Sequence, residues 1–348
     1  MRERPGSGGG SQSSGALSIA WIGPPDGVAA GDDGQWGAPG DLSLPLDDRG
    51  LLLADGLFET VLVERGVPLL LERHLQRWHQ GAAVLGMAPP PDLERVRQLA
   101  AEAMRRSGIA TGALRLNWSR GSGGRGLDPP VVEPIAAEHG GAIGDTPAAE
   151  ISAADTSVAD TSAPASRQAH GQKSIDASAG AAGRFWLQLT ACAPVFTPVI
   201  VIVSPTERRC ASSELSRIKT FAYGSAIQAR RQAHAAGADD ALLLSTAGGL
   251  CCGTAANLLL QVGHRWLTPA LASGCLPGVM RHRALERGLV EEAPEPIAAE
   301  ALGDGTVRAA LLLNSLGCRP IVRGEGVALT GLQPAEAEMF WRRVLEGA

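Results

Sequence analysis

One lysine of this chain stands out as a candidate amine nucleophile. Of the 31 basic residues only two, Lys173 and Lys219, are lysines. Arginine supplies positive charge but does not deprotonate to a free amine, so a lysine kept among arginines is a candidate for amine chemistry. Lys173 lies in a low-complexity stretch, which leaves Lys219. The alternative is a surface lysine retained by chance.

The one tyrosine of the sequence, Tyr223, follows Lys219 by four residues. A helix is predicted over 221–236, and residues four apart on a helix share a face. On that interpretation the ammonium and the phenol converge on one ligand. The alternative is a lysine at a helix start beside a core tyrosine.

Three glycine-rich segments are candidates for ligand contact. Small residues at 249–258 would let the backbone approach a flat ring or a phosphate closely. A glycine-bracketed turn at 274–281 leads into a predicted helix, whose first N–H groups suit phosphate. The loop at 119–126 carries Arg120 and Arg125, and guanidinium groups suit carboxylates. Taken singly, each segment also fits an ordinary turn, cap or hairpin tip.

The six cysteines show no metal-ligand spacing, and the adjacent pair Cys251 and Cys252 lacks a second ligand pair. We therefore expect no bound metal. In a chain of 348 residues such cysteines favour reduced thiols and a cytoplasmic location.

Hydrophobic periodicity predicts a two-domain α+β or α/β protein, with domains at 16–193 and 194–348. The strands expected in the first domain lie at 16–23, 51–53, 58–63, 67–71, 114–119 and 185–193, and the helices at 75–85 and 93–107. The strands expected in the second domain lie at 199–203, 240–244, 258–262, 266–267 and 309–313, and the helices at 221–236, 279–287 and 334–345. Two hairpins are expected, one pairing 114–119 with 185–193 and one pairing 258–262 with 266–267.

Composition limits the partners and marks two segments as disordered. The net charge of -5 gives no general attraction to nucleic acid or anionic membranes. No apolar run approaches the roughly 20 residues that span a bilayer, so no membrane partner is expected. The Gly/Ser-rich residues 1–15 are expected to be a disordered tail. Residues 131–183, poor in apolar periodicity, are expected to be a disordered insertion at a hairpin tip.

These segments, in this order, resemble the class IV aminotransferase family of fold-type IV, which includes aminodeoxychorismate lyase, branched-chain aminotransferase and D-amino-acid aminotransferase. The matching segments are 48–60, 74–77, 218–220, 237–244, 255–258 and 276–281. Within the family, the Ser-Arg-Gly-Ser-Gly-Gly-Arg-Gly loop at 119–126 is most similar to aminodeoxychorismate lyase.

The resemblance implies a D-amino-acid aminotransferase-like fold that holds pyridoxal 5′-phosphate (PLP) at the domain interface. It implies that Lys219 is the catalytic lysine that binds PLP covalently, and that Arg120 or Arg125 binds a substrate carboxylate. It also implies a small-molecule amine substrate and a homodimer. The other cofactor-binding residues it implies are Arg77, Tyr223, Cys252, Thr254, Asn257, Val279 and Met280.

The sequence departs from its family at Cys252, where the family places a glutamate that pairs with the pyridine nitrogen. A thiol is a poor partner for a pyridinium, because thiols are largely neutral near pH 7 unless activated. A weaker electron sink harms transamination more than a lyase reaction whose product becomes aromatic. The expected activity is therefore 4-amino-4-deoxychorismate lyase, yielding 4-aminobenzoate and pyruvate for folate synthesis. The alternatives are a branched-chain or D-amino-acid aminotransferase, and a PLP-binding protein with little turnover.

Overall fold

The computed structural model describes residues 16–24, 34–123, 126–129 and 183–347. The predicted tail at 1–15 and nearly all of the predicted insertion at 131–183 lie outside the described residues, as does Arg125.

The first sheet has six antiparallel strands in the order β2-β1-β6-β5-β3-β4. One side of it is covered by two helices, which bury an apolar core containing Trp21, Trp78, Trp118 and Phe185. The strands are β1 (Ser18–Gly23), β2 (Gln35–Gly37), β3 (Gly56–Glu64), β4 (Val67–Pro68), β5 (Gly112–Ser119) and β6 (Arg184–Ala191). The helices before β6 are α1 (Arg49–Leu53), α2 (Leu71–Val84) and α3 (Leu93–Ser107).

The second sheet closes on itself, because β9 pairs with both β8 and β10. The pairings of β7 with β8 and with β14 are parallel, as is that of β11 with β12. Its strands are β7 (Val199–Arg209), β8 (Asp240–Ser245), β9 (Leu250–Gly253), β10 (Asn257–Val262), β11 (Arg265–Thr268), β12 (Glu291–Glu292), β13 (Val307–Asn314), β14 (Gly317–Gly324) and β15 (Val327–Ala328). The helices around it are α4 (Gly224–Ala235), α5 (Val279–Glu286) and α6 (Pro334–Leu345).

Several predicted elements are confirmed. The strands β5 and β6 pair over their whole length, from Gly112 opposite Ala191 to Ser119 opposite Arg184. The strands β10 and β11 form the second predicted hairpin. The bounds of α3 match the prediction, because Asp92 caps its first turn and Gly108 ends it in the left-handed conformation.

Several predicted elements are wrong in type or extent. The helix predicted at 75–85 begins at Leu71, and the strand predicted at 199–203 runs to Arg209. Residues 51–53 form part of α1 rather than a strand, because the Asp48 carboxylate caps the segment by accepting from Gly50 N. The strand predicted at 67–71 stops at Pro68, since Leu70 has a φ of 54° and α2 begins after it. The helix predicted from 221 begins at Gly224, because Phe221 is hydrogen-bonded to β3.

The chain passes from the first sheet to the second between β6 and β7. The division into domains at 193 and 194 agrees with this crossing and stays a prediction. In the described part of the chain, no helix combines the length and the apolar character needed to cross a bilayer.

Candidate active site

The backbone around Lys219 is fixed to the first sheet. Phe58 N donates to Lys219 O at 3.0 Å, and Phe221 N donates to Gly56 O at 3.0 Å. A Cβ on Gly56 would lie 2.2 Å from the Phe221 ring, so this close approach requires glycine. The segment that precedes α4 is thereby tied to the start of β3, and Lys219 lies where the two sheets meet.

The side chain of Lys219 has two aromatic neighbours. Its Nζ donates to the Tyr223 hydroxyl at 3.0 Å and lies 4.2 Å from the centre of the Phe58 ring. The Lys219 ammonium and the Tyr223 phenol therefore meet, as expected. The expected reason, that both lie on one face of a helix, was wrong. Lys219 lies outside any helix, and Tyr223 is the cap residue before α4, held in a turn by Tyr223 N donating to Phe221 O at 2.9 Å.

Lys219 opens into a cavity of about 600 Å³, a volume usual for a cofactor or substrate site. The first sheet contributes Phe58, Thr60 and Arg115 to its wall, and α2 contributes Arg77. The structure brings together all eight residues predicted to contact the cofactor. They are Arg77, Lys219, Tyr223, Cys252, Thr254, Asn257, Val279 and Met280. Their individual roles stay predictions.

One end of the cavity is built for an anion. Val279 and Met280 begin α5, and the first N–H groups of a helix have no partner within it. The Arg77 guanidinium lies beside them, with Nη1 donating to Pro277 O at 3.0 Å. Asn257 Nδ2 holds the preceding turn by donating to Leu276 O at 2.9 Å. A Cβ on Gly278 would lie 1.9 Å from Asn257 Oδ1, so a larger residue here would displace the Asn257 side chain. This combination suits a phosphate monoester.

Arg77 is oriented by a buried carboxylate that sequence reasoning missed. Glu59 on β3 is 1% exposed and accepts from Arg77 Nε at 2.8 Å and from Arg77 Nη2 at 2.6 Å. His74 Nδ1 lies 2.7 Å from Glu59 Oε2. His74 Nε2 lies 3.1 Å from the hydroxyl of Ser315, which lines the cavity. The sequence signal that could have identified Glu59 was a glutamate within the largely apolar strand segment Gly56–Glu64.

The electrostatics of this network favour a charged Glu59 and a neutral His74. Burial alone raises the pKa of Glu59, but the Arg77 charge and the hydrogen bonds from His74 and Arg77 lower it to about 2. Burial lowers the pKa of His74 below its usual value, against the opposing effect of Glu59. Near neutral pH, Glu59 is therefore an acceptor only.

The cavity wall also includes Cys252 of β9 and Thr254 of the turn that follows it. Cys252 is 7% exposed, and its correspondence to the family glutamate stays a prediction. The hydroxyl of Thr254 is already engaged, since it donates to Asp240 Oδ1 at 2.6 Å and accepts from Arg230 Nε at 3.1 Å. Among the described residues, no aspartate or glutamate lines the cavity.

Two further cations in the cavity wall were missed. Arg115 makes a side-chain hydrogen bond to Asn117 Oδ1 at 2.8 Å, and its guanidinium carbon lies 3.7 Å from the centre of the Phe58 ring. Arg209 donates to the carbonyl oxygens of Gly274 and Ser216. In the part of the chain that the structure describes, neither arginine forms a salt bridge with a carboxylate. Both arginines lie on strands. The sequence pattern of a strand does not distinguish an arginine that faces a cavity from one that faces solvent.

The structure does not bring Arg120 into the cavity. Its Nε donates to Asp55 Oδ2 at 2.7 Å, and its Nη atoms donate to the carbonyl oxygens of Leu85 and Gly86. These contacts explain its place in the loop, and its proposed role at a substrate carboxylate stays a prediction. Arg125, the other predicted carboxylate ligand, lies outside the described residues.

The residues present fit PLP. The cofactor needs an amine for its aldehyde, an anion site for its phosphate and close backbone approach for its ring. Lys219, the Arg77 end of the cavity and the small-residue turn between β9 and β10 supply these three features.

Comparison with known proteins agrees with this fit. Residues 56–323 match the model of the family described as amino-transferase class IV. A 119-residue stretch is 41% identical to the bifunctional aminodeoxychorismate lyase / D-amino acid transaminase of Mycobacterium tuberculosis. That match covers 32% of this chain and 40% of the relative, so it spans less than half of either protein.

Solved structures share the fold. A hypothetical aminotransferase from Mycobacterium tuberculosis in its PLP-bound form superposes with a TM-score of 0.67 at 20% identity, covering 94% of this chain and 98% of the other. The branched-chain amino acid aminotransferase of Escherichia coli gives a TM-score of 0.67 at 15% identity, covering 94% and 92%. With the family match spanning most of the chain, this protein belongs to the class IV aminotransferase family and is a PLP-dependent enzyme of fold-type IV.

Proposed function

We propose that the chain is a lyase that converts 4-amino-4-deoxychorismate into 4-aminobenzoate and pyruvate, a step of folate synthesis. The observation that carries this proposal is the charge of the cavity wall, which has four cationic side chains and, among the described residues, no carboxylate. The proposed substrate has two carboxylates, which suits such a wall. Its product gains an aromatic ring, so the reaction depends less on a strong partner for the pyridine nitrogen.

The roles of the chain's own residues follow from their positions. PLP, when bound, supplies an electron sink for the carbon that bears the substrate amine. Lys219 Nζ takes the proton from that ring carbon. It then gives a proton to the enolpyruvyl group, which leaves as pyruvate. The Tyr223 hydroxyl, 3.0 Å from Nζ, keeps the amine at the cavity wall between these transfers.

Arg115 is the best-placed group to bind a substrate carboxylate. It is half-buried beside the Phe58 ring, and Lys219 contacts the same ring. A guanidinium has five N–H donors, and the described contacts engage one of them, at Nε. The remaining donors are free to form a two-pronged contact with a carboxylate.

Replacing Arg115 with glutamine tests this role. We expect the change to raise KM for aminodeoxychorismate by about tenfold to a hundredfold, since a charge-assisted hydrogen bond contributes about 1.5–3 kcal/mol. The expected change in kcat is small. Arg208→Gln is the matched control, because Arg208 is an exposed arginine on β7 outside the cavity wall. An unchanged KM in Arg115→Gln would remove this arginine from substrate binding.

The proposed activity is tested with the purified holoenzyme and aminodeoxychorismate. We expect pyruvate and 4-aminobenzoate to appear in equal amounts. Amino transfer from D-alanine to 2-oxoglutarate, assayed in parallel, is expected to be slower. Transfer without pyruvate release from aminodeoxychorismate would refute the lyase proposal. A bound-cofactor absorbance band with neither activity would favour a binding protein with little turnover.

D-amino-acid transamination is the second candidate activity, because the 41% identical Mycobacterium tuberculosis relative is named for both reactions. We propose that Cys252 biases this chain towards the lyase reaction. A carboxylate at the pyridine nitrogen would stabilise the pyridinium, as an opposite charge commonly shifts a pKa by about 1–3 units.

Cys252→Glu should therefore increase amino transfer relative to pyruvate release and change the cofactor absorbance spectrum. Cys252→Ser, which adds no charge, is the matched control and should keep the parental ratio. If the glutamate instead lies unpaired in this buried site, the variant loses stability by a few kcal/mol and gains no transfer activity. That result, with an unchanged spectrum, would contradict the proposed bias.

A further inference from the structure

We propose that binding of a phosphate monoester at the Arg77 end of the cavity is coupled to uptake of one proton by His74, with Ser315 as the linking group. The inference rests on the proposed placement of the cofactor phosphate at this end. It adds the Ser315 hydroxyl, as a donor linked to a proton on His74, to the phosphate ligands already described, which are the N-terminus of α5 and Arg77.

Three side chains from distant parts of the chain form the link. Glu59 lies on β3, His74 on α2 and Ser315 in the turn between β13 and β14. The distances are 2.7 Å from Glu59 Oε2 to His74 Nδ1 and 3.1 Å from His74 Nε2 to Ser315 Oγ. Glu59 and His74 are each 1% exposed, whereas Ser315 reaches the cavity wall. Hydrogen bonding thus runs from a buried acid to the surface that would face an anion.

The donors and acceptors in the series Glu59–His74–Ser315 have one consistent assignment when the cavity holds no anion. The charged Glu59 can only accept, so His74 Nδ1 must carry a proton and donate it. A neutral imidazole then has a lone pair on Nε2, so the Ser315 hydroxyl must donate to it. Ser315 is left with oxygen lone pairs towards the cavity, which repel an anion.

Binding of an anion reverses this assignment. A phosphate oxygen requires a donor, and the Ser315 O–H can turn towards it. His74 Nε2 would then be a buried acceptor without a partner, which is unfavourable. A proton on Nε2 removes that cost, because the imidazolium donates to Glu59 at one end and to Ser315 at the other.

The charges around His74 allow this change. Glu59 on β3 favours the imidazolium, whereas Arg77 on α2 and Lys219 before α4 oppose it. A dianionic phosphate offsets the two opposing cations. The pKa of His74 should therefore rise on binding from a value below its usual one.

The sign of the pH dependence follows. Between the pKa of His74 in the free protein and its higher pKa in the complex, binding takes up a proton, so affinity falls tenfold for each pH unit of increase. Outside that window this group gives no pH dependence.

The test is calorimetric titration of the cofactor-free protein with pyridoxamine 5′-phosphate, whose amine cannot bond covalently to Lys219. Two buffers of different ionisation enthalpy report the protons exchanged. At about pH 8 the phosphate is already dianionic, since its second pKa is near 6. We expect net proton uptake, of at most one proton per site, in the parent protein. Ser315→Ala and His74→Gln should show almost none, and Ser315→Thr should restore it, because threonine keeps the hydroxyl.

Pyridoxamine without phosphate is the control ligand. It carries the same titrating ring and amine, and its proton exchange should lack the added uptake seen with the phosphorylated ligand. Equal proton uptake in the parent protein and Ser315→Ala, or none in the parent, would overturn the coupling while leaving the phosphate site intact. If the phosphorylated and unphosphorylated ligands bind equally weakly, the placement of the phosphate itself is wrong. The proton count separates this coupling from a purely structural role of Ser315, which would change affinity alone.

Discussion

Replacing Lys219 with alanine is expected to lower turnover of any amine substrate by at least about a thousandfold. The variant loses the amine that binds the cofactor aldehyde and the group proposed to move the proton, and proton transfer alone contributes about 10²–10⁴. The structure offers no substitute amine among the described residues, because Lys219 is the lysine of the cavity and Arg115 cannot deprotonate. Steady-state rates and single-turnover measurements check this result.

Lys173→Ala is the matched control, since it removes the other lysine of the sequence and should keep parental activity. Circular dichroism and the melting temperature of Lys219→Ala should stay close to those of the parent. A Lys219→Ala variant that retains a tenth or more of the activity (roughly 1.4 kcal/mol of barrier change) would show that another group performs the reaction.

Replacing Glu59 with glutamine is expected to lower the free energy of unfolding by about 3–5 kcal/mol, because breaking a buried ion pair leaves its partner uncompensated. Glu59 accepts from both Arg77 and His74, and it lies almost wholly out of solvent. Urea denaturation measures the effect. Glu72→Gln is the matched control, since its pair with Arg97 is exposed and such pairs contribute about 0–1 kcal/mol.

The difference in unfolding free energy between the parent and Glu59→Gln should depend on pH with a definite sign. The pKa of Glu59 is about 2 in the folded protein and has an ordinary value of 4.5. A depressed pKa contributes stability that is fully present above the ordinary value and is lost as the pH falls. The difference in unfolding free energy between parent and Glu59→Gln should therefore shrink from pH 4.5 towards pH 2. A difference that stays constant over this range would show that the charge of Glu59 is not its source.

Local sequence patterns predicted those elements whose limits are set locally. The helix α3 has a capping aspartate at one end and a glycine at the other, and α6 begins at a proline, so both could be placed from the sequence. The three leucines of α1 suggested a strand, but they are exposed, and the Asp48 cap decides the conformation. The strand β14 was not predicted, because Pro320 and two arginines interrupt its apolar pattern.

The candidate site also combines residues that local sequence patterns could identify with contacts that depend on the tertiary fold. The scarcity of lysine singled out Lys219 as a candidate, and the glycine-bracketed turn singled out the candidate phosphate end. The link from Ser315 to His74 joins residues 241 positions apart, and no local pattern reports such a contact. Arg120 was expected at a substrate because it lies in a loop of suitable composition. Its binding to Asp55 depends on how that loop folds back on β3 and α2.

The most direct test of the account is to locate the cofactor on the chain. The holoenzyme is reduced with borohydride, which fixes bound PLP on the lysine that carries it, and the digested protein is mapped by mass spectrometry. We expect a single modified site at Lys219, in a peptide that also contains Tyr223 unless the protease cuts between them. Modification at Lys173, or PLP that binds stoichiometrically yet leaves Lys219 unmodified, would contradict it.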